Sequence, residues 1–124
     1  MHIVAAVDEI TAYFCAWNER DPDRRRELLN RSATAAVELV HPTWGQTAGV
    51  DSLTQHIAAY QAAMPGTEIV LASAVDRRNE IARYAWRIVD ATGESALDGL
   101  DVVEFADDGR LKRVLLFHGA LAPR

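Results

Sequence analysis

The stretch from residue 96 to 118 constrains this chain more than any other. It reads as two strands, 96–107 and 110–118, joined at Asp108-Gly109, a dipeptide that strongly favours a hairpin between alternating runs. Alternation puts Asp101 on one face with Val103 and Phe105, opposite Val102 and Glu104. The apolar pair marks that face as the buried one, so Asp101 enters the interior beside them. A buried carboxyl needs a hydrogen-bonding partner or a shifted pKa. Asp101 is therefore the first candidate for chemistry.

Upstream, two more strands are expected at 68–75 and 80–90, bounded by Pro65-Gly66, Arg78-Asn79 and Thr92-Gly93. In the second of these, Tyr84, Trp86 and Ile88 share one face, and Arg83, Ala85 and Arg87 the other. The first half of the chain is helical. Ile3, Val7, Ile10, Phe14 and Trp17 recur every three or four residues with Tyr13 beside them, giving an amphipathic helix over 4–20. Asp21-Pro22-Asp23 ends it and starts a short second helix that closes near Asn30. A short strand over Ala35 to Val40 precedes a loop, 41–49, whose Pro42, Gly45 and Gly49 deny it regular structure. A third helix runs from Asp51 to Met64, with Leu53, Ile57, Tyr60 and Met64 on one stripe.

That order of elements is an α+β domain spanning 1–124. Three N-terminal helices pack on one face of a strongly curved antiparallel sheet and enclose a conical pocket. Of the 124 residues 49% are hydrophobic and the net charge is −5, so neither nucleic acid nor an anionic membrane surface is an expected partner. The run Arg24-Arg25-Arg26 is offset by Asp21, Asp23 and Glu27 and reads as a solvated helix face. Cys15 stands alone, which excludes an internal disulfide, and its apolar helix suggests a small buried hydrophobe. No apolar run approaches membrane-spanning length and the N-terminus lacks a signal-peptide pattern, so a cytoplasmic protein is expected.

Three groups of residues carry a family resemblance across nearly the whole chain: Tyr13-Phe14-Cys15-Ala16-Trp17-Asn18 with Asp21; Val37-Glu38 with His41-Pro42 and Gly49; and Gly99-Leu100-Asp101 with Phe105 and Gly109. With the element order they resemble the nuclear-transport-factor-2-like (cystatin-like) superfamily, which includes ketosteroid isomerases, SnoaL-type polyketide cyclases, scytalone dehydratase and limonene epoxide hydrolase. The resemblance implies roles for particular residues. Tyr13 falls where ketosteroid isomerases carry an oxyanion-hole tyrosine, and Asp101 where they carry its protonated aspartic acid partner. His41 falls where they carry the aspartate base, so an imidazole replaces a carboxylate. His118 falls on the pocket wall.

Moving a proton beside a carbonyl needs a base of near-neutral pKa and donors aimed at the enolate oxygen. His41 as base, Tyr13 and a neutral Asp101 as donors, and His118 assisting would supply them; an ionised Asp101 paired with His41 would instead suit dehydration or cyclisation. Trp17, Tyr60, Trp86, Val103, Val114 and Leu116 would form the apolar ligand wall, with Trp44 as a lid. Each candidate also has a plainer use: Tyr13 and the aromatic stripe as core, Asp101 as a strand tie, His41 as a cap, and His56 as a rim residue. The histidines at 2, 41, 56 and 118 lack metal-ligand spacing, no phosphate loop is present, and Ser52 and Ser95 lack a nucleophile-elbow context, so neither metal nor cofactor is expected. Limonene-type epoxide hydrolysis needs a pocket Asp–Arg–Asp set, and Leu116 takes one of those positions. Arg83 and Arg87 mark the outer sheet face, which the resemblance implies is a homodimer interface. The expected function is acid–base proton transfer on an apolar carbonyl compound by a small isomerase, cyclase or dehydratase. The alternative is a dimeric, non-catalytic binding protein with the same pocket.

Overall fold

The computed structural model describes residues 2–43 and 45–124, with side chains from residue 9 onward. Three helices, α1 (His2–Asn18), α2 (Pro22–Ser32) and α3 (Val50–Ala63), cover one face of a curved seven-stranded sheet. The strands are β1 (Ala33–His41), β2 (Gly45–Ala48), β3 (Glu68–Leu71), β4 (Asp76–Arg78), β5 (Ile81–Val89), β6 (Ser95–Phe105) and β7 (Leu111–His118). The sheet order is β2-β1-β7-β6-β5-β3, with β4 also on the free edge of β5.

The α+β architecture is as expected, with three differences in the sheet. It is mixed, because β1 runs parallel to β7, pairing Leu39 with Val114 and Val40 with Leu115. A parallel neighbour requires a long crossover, here everything from β2 to β6, and no local pattern reports such a pairing. The expected loop at 41–49 contains β2, which pairs antiparallel with β1 from His41↔Gly45 to Glu38↔Ala48. The expected strand at 68–75 stops at Leu71 as β3, and a separate strand, β4, forms beyond it at Asp76–Arg78; both pair with β5.

Each helix forms and stops for local reasons. Asp21 caps α2 by accepting a hydrogen bond from the Asp23 N–H, with Pro22 at the first helical position. Ile10, Tyr13, Phe14 and Trp17 bury the inner stripe of α1, and Leu53, Ile57 and Tyr60 that of α3. Ile3 and Val7, expected on the same α1 stripe, lie outside the residues whose side chains are described. At the end of α1, Asn18 imitates a strand: its Nδ2 donates to the Ile69 carbonyl and its Oδ1 accepts from the Ile69 N–H, both at 2.8 Å.

Two further expectations are corrected. Arg25 is not on a solvated face but is 3% exposed, donating to the carbonyls of Glu19 and Arg20 and to Gln61 Oε1. Gln61 Nε2 in turn donates to the carbonyls of Trp17 and Glu19. A cation thus answers the carbonyl-rich end of α1, where the helix dipole is negative. Cys15 is exposed, because the buried stripe of α1 passes through its neighbours Phe14 and Ala16 instead.

The β6–β7 hairpin closes over Asp107, Asp108 and Gly109. The Ala106 N–H donates to Arg110 O and the Gly109 N–H to Ala106 O, with Gly109 at φ 88°. This is a three-residue loop, a turn followed by a left-handed glycine, rather than the two-residue turn that Asp-Gly alone signals. On the outer face, Leu100 and Phe117 stand opposite one another and are 38% and 54% exposed. The half-buried pair Val102 and Leu115 lies beside them. Among the described residues no helix is long and apolar enough to cross a membrane.

Candidate functional site

Burial along β6 sets the shape of the site. From Asp101 to Phe105 every inward residue is buried, whereas 95–100 is exposed or half-exposed. The cone between helices and sheet is therefore filled at one end and open at the other. A cavity of about 170 Å³ occupies the open part, walled by Tyr13, Phe14 and Trp17 of α1, His41 of β1, Tyr60 of α3, Trp86 of β5, Asp101 of β6 and Leu116 and His118 of β7, among others. A cavity of roughly 150 Å³ suffices for benzene. The enclosed space therefore suits a ligand of about one ring rather than a fused polycycle.

Asp101 lies at its base, 3% exposed and inward with Val103 and Phe105 as alternation requires. Tyr84 Oη–H donates to Asp101 Oδ2 at 2.8 Å and Trp86 Nε1–H to Oδ1 at 2.9 Å. The second bond depends on Gly99. A Cβ there would lie 1.9 Å from the Trp86 ring, so only glycine lets the indole lie across β6 and reach Asp101 two residues along. Burial raises the Asp101 carboxyl from 3.8 to about 7, with the Tyr84 and Trp86 bonds opposing the rise. Tyr84, read from sequence as core, is thus part of the polar site.

Tyr13 and Trp17, one helical turn apart on α1, are 2% and 5% exposed. Tyr13 Oη and Trp17 Nε1 are both buried, and neither meets a partner at ordinary hydrogen-bond geometry beyond their weak contact with each other. An unmet buried polar group costs about 1–3 kcal/mol, so the pair is an unsatisfied demand facing the cavity. Burial, followed by the nearby Asp101 charge, raises the Tyr13 hydroxyl well above its ordinary pKa, while a weak hydrogen bond from the Trp17 indole N–H opposes the rise. Tyr60 differs: its hydroxyl is 3.0 Å from Thr67 Oγ1, so only its ring serves the wall.

His41 is buried at the end of β1. The Thr43 N–H donates to its Nδ1 at 3.1 Å. A backbone N–H can only donate, so Nδ1 is the unprotonated nitrogen and the neutral ring carries its proton on Nε2. Burial, then the His56 and His118 rings, lowers its pKa from 6.5 to about 4. Such an imidazole is a hydrogen-bond donor and a weak base, so the base expected from sequence at His41 lacks support in this geometry. His118 is exposed at the mouth, its ring centre 5.3 Å from His41 and 6.0 Å from Trp86. His56, expected only at the rim, is half-buried with its ring centre 5.2 Å from His41, and burial lowers its pKa. Helix spacing placed His56 on α3 but could not show that α3 and β1 meet there. Among the described residues no group of three His, Cys, Asp or Glu side chains is placed to hold a metal ion.

Of the expected ligand wall, Trp17, Tyr60, Trp86 and Leu116 line the cavity. Val103 and Val114 do not. Both are fully buried and paired with each other across β6 and β7, deeper in the cone than Asp101. Trp44, expected as a lid, lies outside the described residues. Phe14, Met64, Ile69, Ile88 and Leu97 complete the apolar wall. Their inward direction follows from packing of whole elements, which local pattern alone does not separate from ordinary core.

Comparison with known proteins agrees with this fold. Residues 10–114 match the SnoaL-like domain family. A protein of the SnoaL-like family from Agrobacterium tumefaciens, proposed to be an isomerase, superposes with a TM-score of 0.87 at 29% identity, covering 94% of this chain and 99% of that one. A proposed SnoaL-like polyketide cyclase from Jannaschia sp. CCS1 gives 0.74 at 15% identity over 93% and 85% of the two chains. A protein of ketosteroid isomerase-like fold from Catenulispora acidiphila, solved with trimethylamine, gives 0.70 at 11% identity over 89% and 84%. The last two likenesses speak to fold alone. No curated protein matches the chain.

Proposed function

Because this chain belongs to the SnoaL-like domain family of the nuclear-transport-factor-2-like superfamily, we propose that it is a cofactorless enzyme of general acid–base proton transfer acting on a compact apolar carbonyl compound. The observation that carries this reading is Asp101. It is buried at the base of an apolar cavity, oriented by Tyr84 and Trp86, and poised at about pH 7. A general base works best with a pKa near the working pH. Each carboxylate oxygen keeps a lone pair after accepting one hydrogen bond, so Asp101 can still take a proton from a ligand. In this reading Asp101 is the base, and Tyr13 O–H and His41 Nε2–H are donors. His118, at the mouth beside His41, passes protons to solvent. The reaction is an isomerisation, cyclisation or dehydration that starts from an enolate.

The proposal includes a homodimer through the outer sheet face. Leu100 and Phe117, beside Val102 and Leu115, form an exposed apolar surface, with the Arg87–Asp98 ion pair at its border. Such a surface with a charged margin is the ordinary composition of an interface.

The enzymatic part is tested by following solvent deuterium entering the α-carbon of one-ring ketones by NMR. Wild type is expected to exchange faster than buffer, with a rate that rises through about pH 7 as Asp101 ionises. Asp101→Asn is expected to be slower by about 10²–10⁴-fold, the usual contribution of a general base. Exchange no faster than buffer, with ligand still bound, would leave the pocket as a binding site only.

A further inference from the structure

We infer that Trp17 Nε1–H and Tyr13 Oη–H together clamp one acceptor oxygen of the ligand, making Trp17 a further donor of the oxyanion site beside Tyr13 and His41. Indole nitrogen is a donor only, so Trp17 is satisfied by a carbonyl, enolate or phenolate oxygen and never by an ammonium or an apolar group. Tyr13 holds its proton at neutral pH, because burial and the Asp101 charge both oppose ionisation, and it too offers a donor. Both atoms are buried, neither has a partner at ordinary hydrogen-bond geometry beyond their weak contact with each other, and both residues wall the same cavity. Their spacing of four residues on α1 brings them to one face of the helix, with ring centres 6.2 Å apart.

Asp101 is in the opposite position. Its two oxygens already accept from Tyr84 and Trp86, an arrangement that leaves it suited to receive a proton. Trp86 shows the contrast within the same cavity: its indole N–H is committed to Asp101, whereas that of Trp17 meets only the Tyr13 hydroxyl beside it, short of ordinary hydrogen-bond geometry. The cavity of about 170 Å³ has room for about one ring, so the class we take is a small monocyclic or short-chain ketone whose oxygen points at α1. The inference rests on the acid–base reading for the choice of a carbonyl, but the clamp itself is a matter of binding.

The test uses 4-fluoroacetophenone and its isostere 4-fluoro-α-methylstyrene, in which a methylene replaces the carbonyl oxygen. Binding is followed by ¹⁹F NMR, and the indole N–H signals of ¹⁵N-labelled protein are recorded alongside. In wild type the ketone is expected to bind tighter than the alkene and to move the Trp17 indole proton downfield, which the alkene does not do. Trp17→Phe and Tyr13→Phe are each expected to weaken ketone binding about tenfold more than they weaken alkene binding. Alkene binding carries whatever a variant does to the cavity wall, so the ketone-to-alkene ratio isolates the oxygen contact, and the wild-type indole shift needs no variant at all. The inference is overturned if ketone binds with the Trp17 signal unmoved, if Trp17→Phe binds it as well as wild type, or if ketone is not preferred over alkene. Failure here with Asp101-dependent exchange intact would place the oxygen elsewhere and leave the enzyme reading standing. A clamped ketone without exchange would do the reverse.

Discussion

Gly99 and Trp86 face one another across the β5–β6 ladder, and a Cβ on Gly99 would stand 1.9 Å from the Trp86 indole. The missing side chain is what allows Trp86 Nε1–H to reach Asp101 Oδ1. Gly99→Ala is therefore expected to displace the indole and destabilise the protein by about 1–3 kcal/mol, the usual range for overpacking a close contact. It also removes a bond that favours the carboxylate, so the Asp101 pKa should rise above about 7. Denaturant unfolding and a carboxyl ¹³C titration read the two effects. An unchanged Asp101 titration would mean that Trp86 does not orient the acid.

Asp101 and His41 act in opposite senses on the pH dependence of stability. Asp101, raised to about 7, contributes stability that is present below its ordinary 3.8 and lost as pH rises through 7. His41, lowered to about 4, contributes stability that is present above 6.5 and lost as pH falls through 4. Each amounts to a few kcal/mol at 1.36 kcal/mol per pKa unit, so in wild type they largely offset between about pH 4 and 6.5. Relative to wild type, His41→Gln is expected to lose stability as pH rises across this window and Asp101→Asn to gain it. Unfolding free energies at half-unit pH steps check the signs, and parallel curves for the two variants would contradict the assignment.

Asn18 joins α1 to β3 through two bonds to the Ile69 backbone. Asn18→Ala leaves that N–H and carbonyl without their partner and should cost about 2–3 kcal/mol. Asn18→Asp keeps only the acceptor and sets a carboxylate against the Ile69 carbonyl, so it should cost at least as much. Both should lower the denaturant midpoint at unchanged slope. Recovery of wild-type stability in Asn18→Asp would show that the donor half of the pair is dispensable.

Phe117 and Leu100 pair across β6–β7 on the exposed face. If that face is the dimer interface, Phe117→Glu should give a monomer at micromolar concentration by sedimentation equilibrium, with the helical signal unchanged. The pocket lies on the other side of the sheet, so ligand binding should fall little. A wild-type monomer at the same concentration would remove the dimer from the proposal.

Much of this molecule was legible without coordinates, because local chemistry decides it. Period-two alternation fixed the inward face of β6 and hence the burial of Asp101; period-three-and-four spacing fixed the stripe of α1 and hence the burial of Tyr13 and Trp17. Asp21-Pro22 and the glycine at 109 marked element ends because capping and positive φ are properties of single residues. The resemblance to the superfamily rested on those same positions. What tertiary structure alone decided is who meets whom. The parallel β1–β7 pairing, the sharing of Asp101 between Tyr84 and Trp86, and the approach of His56 to His41 join residues far apart in the chain, and nothing local encodes the distance between them. The role of His41 turned on one backbone N–H, that of Thr43. Local pattern could place an imidazole at the cavity; only the folded loop selected which of its nitrogens holds the proton.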